Sequence, residues 1–157
     1  MIRMIVFDVD GTLTDGKIYM GINGELLKAF NAHDAVGVRK LKKYDIIPII
    51  ITGRESEITL NRAKEMNVDF VYQGVTNKLF KLQEIMNNLG ISFQEIAYIG
   101  DDENDIECME LCGLKCCPND AVDVIKNKCD IISKYDGGSG AVREIIEILL
   151  KRNGEIL

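Results

Sequence analysis

The chain has 157 residues, with 19 Lys and Arg against 25 Asp and Glu, a formal charge of −6. That size suits one domain spanning 1–157 with a real core, and 46% hydrophobic against 28% charged residues exclude a disordered chain. The acidic balance lacks the basic footprint of a nucleic-acid binder, and the longest apolar run, 46–51, is far below the roughly 18–20 residues of a membrane span. The opening MIRMIVFDVDG is no secretory signal, and five cysteines, an odd count, point to reduced thiols in a cytoplasmic chain.

Short apolar runs alternate with amphipathic helical patterns, which predicts an α/β fold: a Rossmann-like parallel sheet with helices on both faces. The first strand is Met4–Phe7 (MIVF), directly followed by Asp8-Val9-Asp10-Gly11-Thr12. Carboxylates at i and i+2 leave a strand end on the same side, so Asp8 and Asp10 can converge where open α/β sheets hold ligands. Residues 17–30, KIYMGINGELLKAF, predict a hairpin turning at Asn23-Gly24, where both residues tolerate positive φ. A lone apolar hairpin is marginal in water and needs a surface to cover it.

A helix is predicted over 34–43, then a strand over 46–51 that ends on Thr52-Gly53-Arg54. The Thr52 hydroxyl and the N–H groups heading the next helix, 55–66, suit a phosphate, although a Thr-Gly exit also serves as plain turn or capping chemistry. The strand Phe70–Tyr72 leads to a helix over 77–89 with Lys78 near its positive end. The strand Ile96–Ile99 closes on Gly100-Asp101-Asp102-Glu103-Asn104-Asp105. Four acidic side chains in five positions repel one another unless a cation or a helix N-terminus neutralises them, and clustered hard oxygen ligands favour Mg2+.

A helix over 104–111, a strand Ile131–Ile132 and a helix over 141–151 complete the pattern. The last helix places Val142, Ile145, Ile146, Leu149 and Leu150 on one stripe, and the tail 152–157 is expected to be mobile. Cys108, Cys112 and Cys116 recur at four-residue spacing, with Cys117 and Cys129 nearby. No second Cys/His pair completes a zinc set, so these thiols read as small buried hydrophobes.

The order Asp-x-Asp, Thr, Lys, Asp-Asp, each at a strand exit, resembles the haloacid dehalogenase superfamily of Mg2+-dependent phosphotransferases. The stretches DVDGTLTDG, GELLKAFNAHDAVGVR, IITGR, VYQGV, AYIGDDENDIECM and GGSGAVRE are similar to its capless phosphatases acting on 3-deoxy-octulosonate 8-phosphate. Close relatives act on nine-carbon ulosonate phosphates, which stand as the alternative substrates.

The resemblance implies roles for particular residues. Asp8 would be the nucleophile, and Asp10 would protonate the leaving oxygen and then activate water. Thr52, the Gly53 N–H and Lys78 would stabilise the phosphoryl oxygens. Mg2+ would sit between Asp8, Asp101 and the main-chain carbonyl of Asp10. Asp102, Asn104 and Asp105 would line the phosphate region or orient Lys78 and metal-bound water. The resemblance further implies a cytoplasmic homotetramer in lipopolysaccharide synthesis, its hairpins covering neighbouring sites, acting on a small sugar-acid phosphate and on neither nucleic acid nor membrane.

Arg54 and Arg62, one helical stripe apart, could both reach a sugar-acid carboxylate. The alternatives are Arg54 paired to Glu57 or Glu65 and a solvated Arg62. Ser139 stands in the GGSG loop where the octulosonate enzymes usually carry Arg. The 44 residues from Asp8 to Thr52 and the 26 from Thr52 to Lys78 leave no room for an inserted lid domain. Two other readings place the fold elsewhere. A receiver domain would carry its acidic pair after the first strand and its phosphoacceptor after a later one, without an Asp-Asp cluster near 101. A catalytically silent oligomerisation domain would not retain every motif residue.

Overall fold

The computed structural model of the chain describes residues 1–154. Its central strand is β1 (Met4–Phe7), followed by the antiparallel hairpin strands β2 (Tyr19–Gly21) and β3 (Gly24–Leu27). Next come α1 (Ala32–Lys40), β4 (Ile47–Ile51), α2 (Glu57–Glu65), β5 (Phe70–Tyr72), α3 (Lys78–Leu89) and β6 (Ile96–Ile99). The chain continues through α4 (Ile106–Leu111), β7 (Leu114–Cys117), α5 (Asp123–Lys126), β8 (Ile131–Ile132) and α6 (Ala141–Arg152). Six strands form one parallel sheet in the order β5-β4-β1-β6-β7-β8.

The strands β1, β4 and β6 are apolar without interruption because both sheet faces are covered there. On β1, Ile5 and Phe7 join Val38 of α1 and Val142, Ile145, Ile146 and Leu149 of α6. Met4 and Val6 point the other way, to Leu82 and Ile85 of α3 and to Cys108 and Met109 of α4. This two-residue alternation carries Asp8 out toward the α3 face, where Lys78 waits. The sheet order turns in opposite directions on either side of β1, and that reversal opens a crevice beyond the carboxyl ends of β1, β4 and β6.

Each predicted strand forms, and the structure adds β7. Lys115 and the paired cysteines concealed it, but Cys116 and Cys117 are buried and β7 bridges β6 to β8. Cys108 and Cys112 are buried apolar contacts, and all five thiols are free. Helix boundaries shift where caps decide them. Asn31 accepts from the N–H groups of His33 and Asp34, so α1 begins at Ala32 rather than 34; it ends at Lys40 before a 3-10 turn over Leu41–Tyr44. Ser56 caps α2 and Asn77 caps α3. A 3-10 turn over Glu103–Asp105 precedes α4, displacing its start from 104.

The hairpin turns one residue earlier than Asn23-Gly24. Gly21 pairs with Gly24, leaving Ile22 and Asn23 in the loop and the positive φ of 109° on Gly24. At the other end, α6 runs through Arg152, and the Asn153 side chain bonds both the N–H and the carbonyl of Ile2. The expected mobile tail is therefore pinned to Asn153; its last residues, 155–157, lie outside the described residues. Among the described residues no helix is long and apolar enough to cross a membrane.

Ile146 on α6 is fully buried in the layer between α6 and the sheet. Ile146→Ala should cost about 2–5 kcal/mol through the cavity it leaves. Urea unfolding should show a lower midpoint at unchanged slope.

Candidate active site

The loop after β1 is shaped by threonines before any acid is placed. Thr14 Oγ1 accepts from the N–H groups of Gly11 and Gly16, turning the chain back at once. Gly11 has φ +93°, and a Cβ there would fall 2.0 Å from Asp101 Oδ2, so only glycine allows the two acidic loops to meet. Gly137 of the GGSG loop packs against the same turn: a Cβ on it would lie 2.0 Å from the Gly11 carbonyl oxygen. That loop braces the turn after β1.

Asp8, Thr52 and Lys78 are buried together at the sheet edge. Lys78 Nζ donates to Asp8 Oδ1 at 2.7 Å and to Asp105 Oδ1 at 2.8 Å. Burial alone would push the Lys78 ammonium down, but the charges of Asp8 and Asp105 outweigh it and hold its pKa above the ordinary lysine value. Asp105 has no exposed surface and accepts from four donors: Lys78, the Tyr98 hydroxyl at 2.8 Å, and the main-chain N–H groups of Asp101 and Asp102. Burial, then the Asp105 charge, keeps the Tyr98 phenol protonated as a donor.

Asp101 receives a hydrogen bond from Thr12 Oγ1 at 3.2 Å. Burial first, then the negative charges beside them, raise both Asp8 and Asp101 above the ordinary carboxylate range. Oxygens of Asp8, Asp101 and Asp105 all lie within 4.8 Å of one another, and no cysteine joins such a cluster among the described residues. Three carboxylates against one ammonium leave two negative charges, which is the charge of one divalent cation. The donor set is hard oxygen throughout and fits Mg2+. Asp105 is committed to its four donors, so Asp8 and Asp101 are the carboxylates free to hold an ion.

A cavity of about 240 Å³ opens above these groups, lined by Asp8, Asp10, Thr52, Gly53, Arg54, Asp102 and Asn104. Seven residues singled out from the sequence thus meet in one place. A larger cavity of about 580 Å³, lined in part by His33, Tyr135 and Ser139, lies elsewhere. There Lys134 is paired to Glu144 and Arg143 to Glu147. Ser139 belongs to that second cavity.

Arg62 does not line the Asp8 cavity. Its Nη1 donates to Glu65 Oε2 and its Nη2 to the Asn31 carbonyl, both at 2.9 Å, and its guanidinium lies 5.5 Å from the Phe30 ring centroid. Helical spacing put Arg54 and Arg62 on one stripe, but Arg54 precedes the Ser56 cap and lies outside α2, while Arg62 faces the base of the hairpin. Arg62 is neither at the site nor freely solvated.

Thr12, Tyr98 and Lys28 were missed by the sequence reading. Thr12 is visible as the first hydroxyl after Asp-x-Asp-Gly. Tyr98 is hidden inside an apolar strand, and Lys28 inside an apolar hairpin, from which its Nζ reaches Asp10 Oδ1 at 2.8 Å.

A doubly wound sheet whose central strand exits carry a buried Asp–Lys–Asp array and an acidic cation cradle suits phosphoryl transfer assisted by a divalent cation. Residues 56–146 match the family model of haloacid dehalogenase-like hydrolases. Over 155 residues the chain is 41% identical to 3-deoxy-D-manno-octulosonate 8-phosphate phosphatase KdsC of Escherichia coli strain K12, covering 99% of this chain and 82% of that protein. The crystal structure of the corresponding phosphatase from Yersinia pestis superposes with a TM-score of 0.94 at 39% identity, over 98% of this chain and 83% of that one. That from Moraxella catarrhalis, in complex with magnesium, phosphate and KDO, gives 0.92 at 38% identity, over 96% and 86%. The chain belongs to the haloacid dehalogenase-like hydrolases, within the capless group that these phosphatases represent.

The crowded acids make stability depend on pH and metal together. Asp8 and Asp101 are raised from a value near 3.8, so between that pH and about 8 the folded chain binds more protons than the unfolded one. Their contribution is fully present below that window and is lost as pH rises through it. Metal-free protein should therefore melt at lower temperature at pH 8 than at pH 5.5 as far as these groups act. Saturating Mg2+ at pH 8 should raise the melting temperature by roughly 5–10 °C at a hundred times its Kd. Asp101→Asn should flatten the pH response and remove most of the metal response. Differential scanning calorimetry checks both, and an Asp101→Asn variant that keeps the full Mg2+ response would place the ion elsewhere.

Proposed function

We propose that the Asp8 site hydrolyses the phosphate ester of a small sugar acid, 3-deoxy-D-manno-octulosonate 8-phosphate before others, through an aspartyl phosphate. The observation that carries this reading is the buried Lys78 joining Asp8 to Asp105 beneath a cavity that Thr52, Gly53 and Asp10 also line. Lys78 holds the Asp8 carboxylate oriented and cancels part of its charge. Asp8 attacks phosphorus while the bond to the sugar oxygen breaks, and Asp10 gives that oxygen its proton. Asp10, now a carboxylate, takes a proton from water as the water attacks phosphorus, which releases phosphate and restores Asp8. Thr52 and the Gly53 N–H, at the head of the segment leading to α2, suit the equatorial oxygens. Asp8 and Asp101, with the Asp10 main-chain carbonyl, would hold Mg2+, whose charge when bound offsets the repulsion between a carboxylate and a phosphate dianion. Arg54, exposed on the cavity rim, would meet a substrate carboxylate.

The names of the relatives favour the octulosonate ester over its nine-carbon counterparts, and the five free thiols suit a cytoplasmic enzyme. The hairpin exposes Tyr19, Met20, Ile22, Leu26 and Leu27, more apolar surface than a two-stranded ribbon leaves in water. We propose that it is covered in a closed homotetramer.

Phosphate release measured over ulosonate and unrelated sugar phosphates should be greatest with the octulosonate ester and should require Mg2+. Asp8→Asn, folded by circular dichroism, should lose roughly 10³-fold or more in kcat; substantial turnover would reject Asp8 as nucleophile. Light scattering should report four times the 17.6 kDa chain. Charged replacements of Tyr19 and Leu27 should lower both that mass and sugar-phosphate turnover. A fully active monomer would remove the assembly from the account.

A further inference from the structure

Lys28 lies just beyond β3, flanked by exposed Leu27 and Ala29, yet its side chain has no exposed surface. Its Nζ lies 2.8 Å from Asp10 Oδ1 and 3.2 Å from Glu25 Oε2. Burying an ammonium is costly unless carboxylates meet it, and here two do. The second of them is itself anchored. The Ser56 hydroxyl donates to Glu25 Oε1 at 2.5 Å, and the same Ser56 oxygen accepts from the Thr59 N–H to cap α2. A continuous polar chain therefore runs from the N-terminus of α2 through Ser56, Glu25 and Lys28 to Asp10. Asp10 is partly open to the cavity, its side chain 22% exposed, and Lys28 ties one of its two oxygens down.

We infer that Lys28 is a positioning residue for the acid/base step: by holding Oδ1 of Asp10, it aims the other carboxyl oxygen at the leaving group. The inference rests on the reading of Asp10 as the proton carrier. It makes the hairpin a working part of its own protomer's site, through a contact 18 residues away in sequence.

The consequence is selective by leaving group. A sugar alkoxide departs only with a proton, whereas p-nitrophenolate departs without one. The ratio kcat/KM covers the steps through departure of the leaving group, so breakdown of the aspartyl phosphate does not enter it. Lys28→Met keeps the aliphatic stem and removes the ammonium. It should lower kcat/KM for 3-deoxy-octulosonate 8-phosphate by roughly 10²-fold, the lower end of what a general acid contributes, and that for p-nitrophenyl phosphate by no more than about 5-fold. Asp10→Asn should show the same asymmetry, and adding Lys28→Met to it should cost little more, because the two act as one unit. Lys28→Gln gives the same reading if Lys28→Met does not melt cooperatively.

Equal losses on both esters in the Lys28 variants, with Asp10→Asn still discriminating, would reduce Lys28 to a structural tether and overturn the inference alone. Fully additive losses in the double variant would overturn it as well. Equal losses in Asp10→Asn itself would overturn the acid/base reading, and the role of Lys28 with it.

Discussion

One ammonium group, that of Lys78, makes the rest of the site possible. The sheet reversal around β1 brings the ends of β1 and β6 together, and both ends carry acids that would repel one another in a dry setting. Lys78 enters from the first turn of α3 and satisfies one acid from each strand end. Such a buried pair is weak evidence for stability, since desolvation offsets much of the attraction. Its value here is geometric: Asp8 is held as an oriented carboxylate at a fixed distance from the Asp101 loop. Tyr98 and two main-chain N–H groups hold the Asp105 carboxyl in place, and with it the Lys78 ammonium.

The residual charge then explains the rest of the arrangement. With Lys78 spent on Asp8 and Asp105, the side-chain partners of Asp101 among the described residues are the Thr12 hydroxyl and the Asp8 carboxyl, neither of them a cation. An acid so placed either keeps its proton or takes a cation, and the two compete. The Gly11 turn brings its own backbone so close to that carboxylate that a side chain there would displace it. A hard cation among these oxygens and an incoming phosphate dianion complement each other, because either alone leaves the crevice charged.

Much of this was legible in the sequence because the strands are buried on both faces. Their apolar runs stand out, so the residues that follow each run can be named without knowing the topology: Asp8 and Asp10, Thr52, Lys78, and Asp101 to Asp105. The strand β7 was not legible, since Lys115 and two cysteines do not look like a strand until its neighbours bury them. Partners were harder than positions. Tyr98 reads as one more apolar strand residue, and only the face it shares with Lys78 turns its hydroxyl toward Asp105. Arg62 shows the opposite error: the eight-residue spacing makes a shared stripe only if both arginines are helical, whereas α2 begins at Glu57 and Arg62 lies against the hairpin base at Asn31 and Phe30. Contacts across the crevice depend on loop paths, and periodicity carries no information about those.

The hairpin inverts the usual order of a surface ribbon. Its charged residues Glu25 and Lys28 turn inward to Ser56 and Asp10, while Tyr19, Met20, Ile22, Leu26 and Leu27 turn outward. A ribbon in water should do the reverse. The inner face is accounted for by the acids it meets. The outer face is accounted for once another surface covers it, and the proposed assembly supplies one. The two faces are not independent, because Leu26 and Leu27 are the residues immediately before Lys28. A two-stranded ribbon is stiff only when packed, so covering its outer face restricts the path of β3 and with it the reach of the Lys28 ammonium. If Asp10 carries the proton as proposed, no inserted lid among the described residues orders it. The ribbon can do that work only if something holds it, which ties the geometry at Asp10 to the burial of side chains that never approach the substrate.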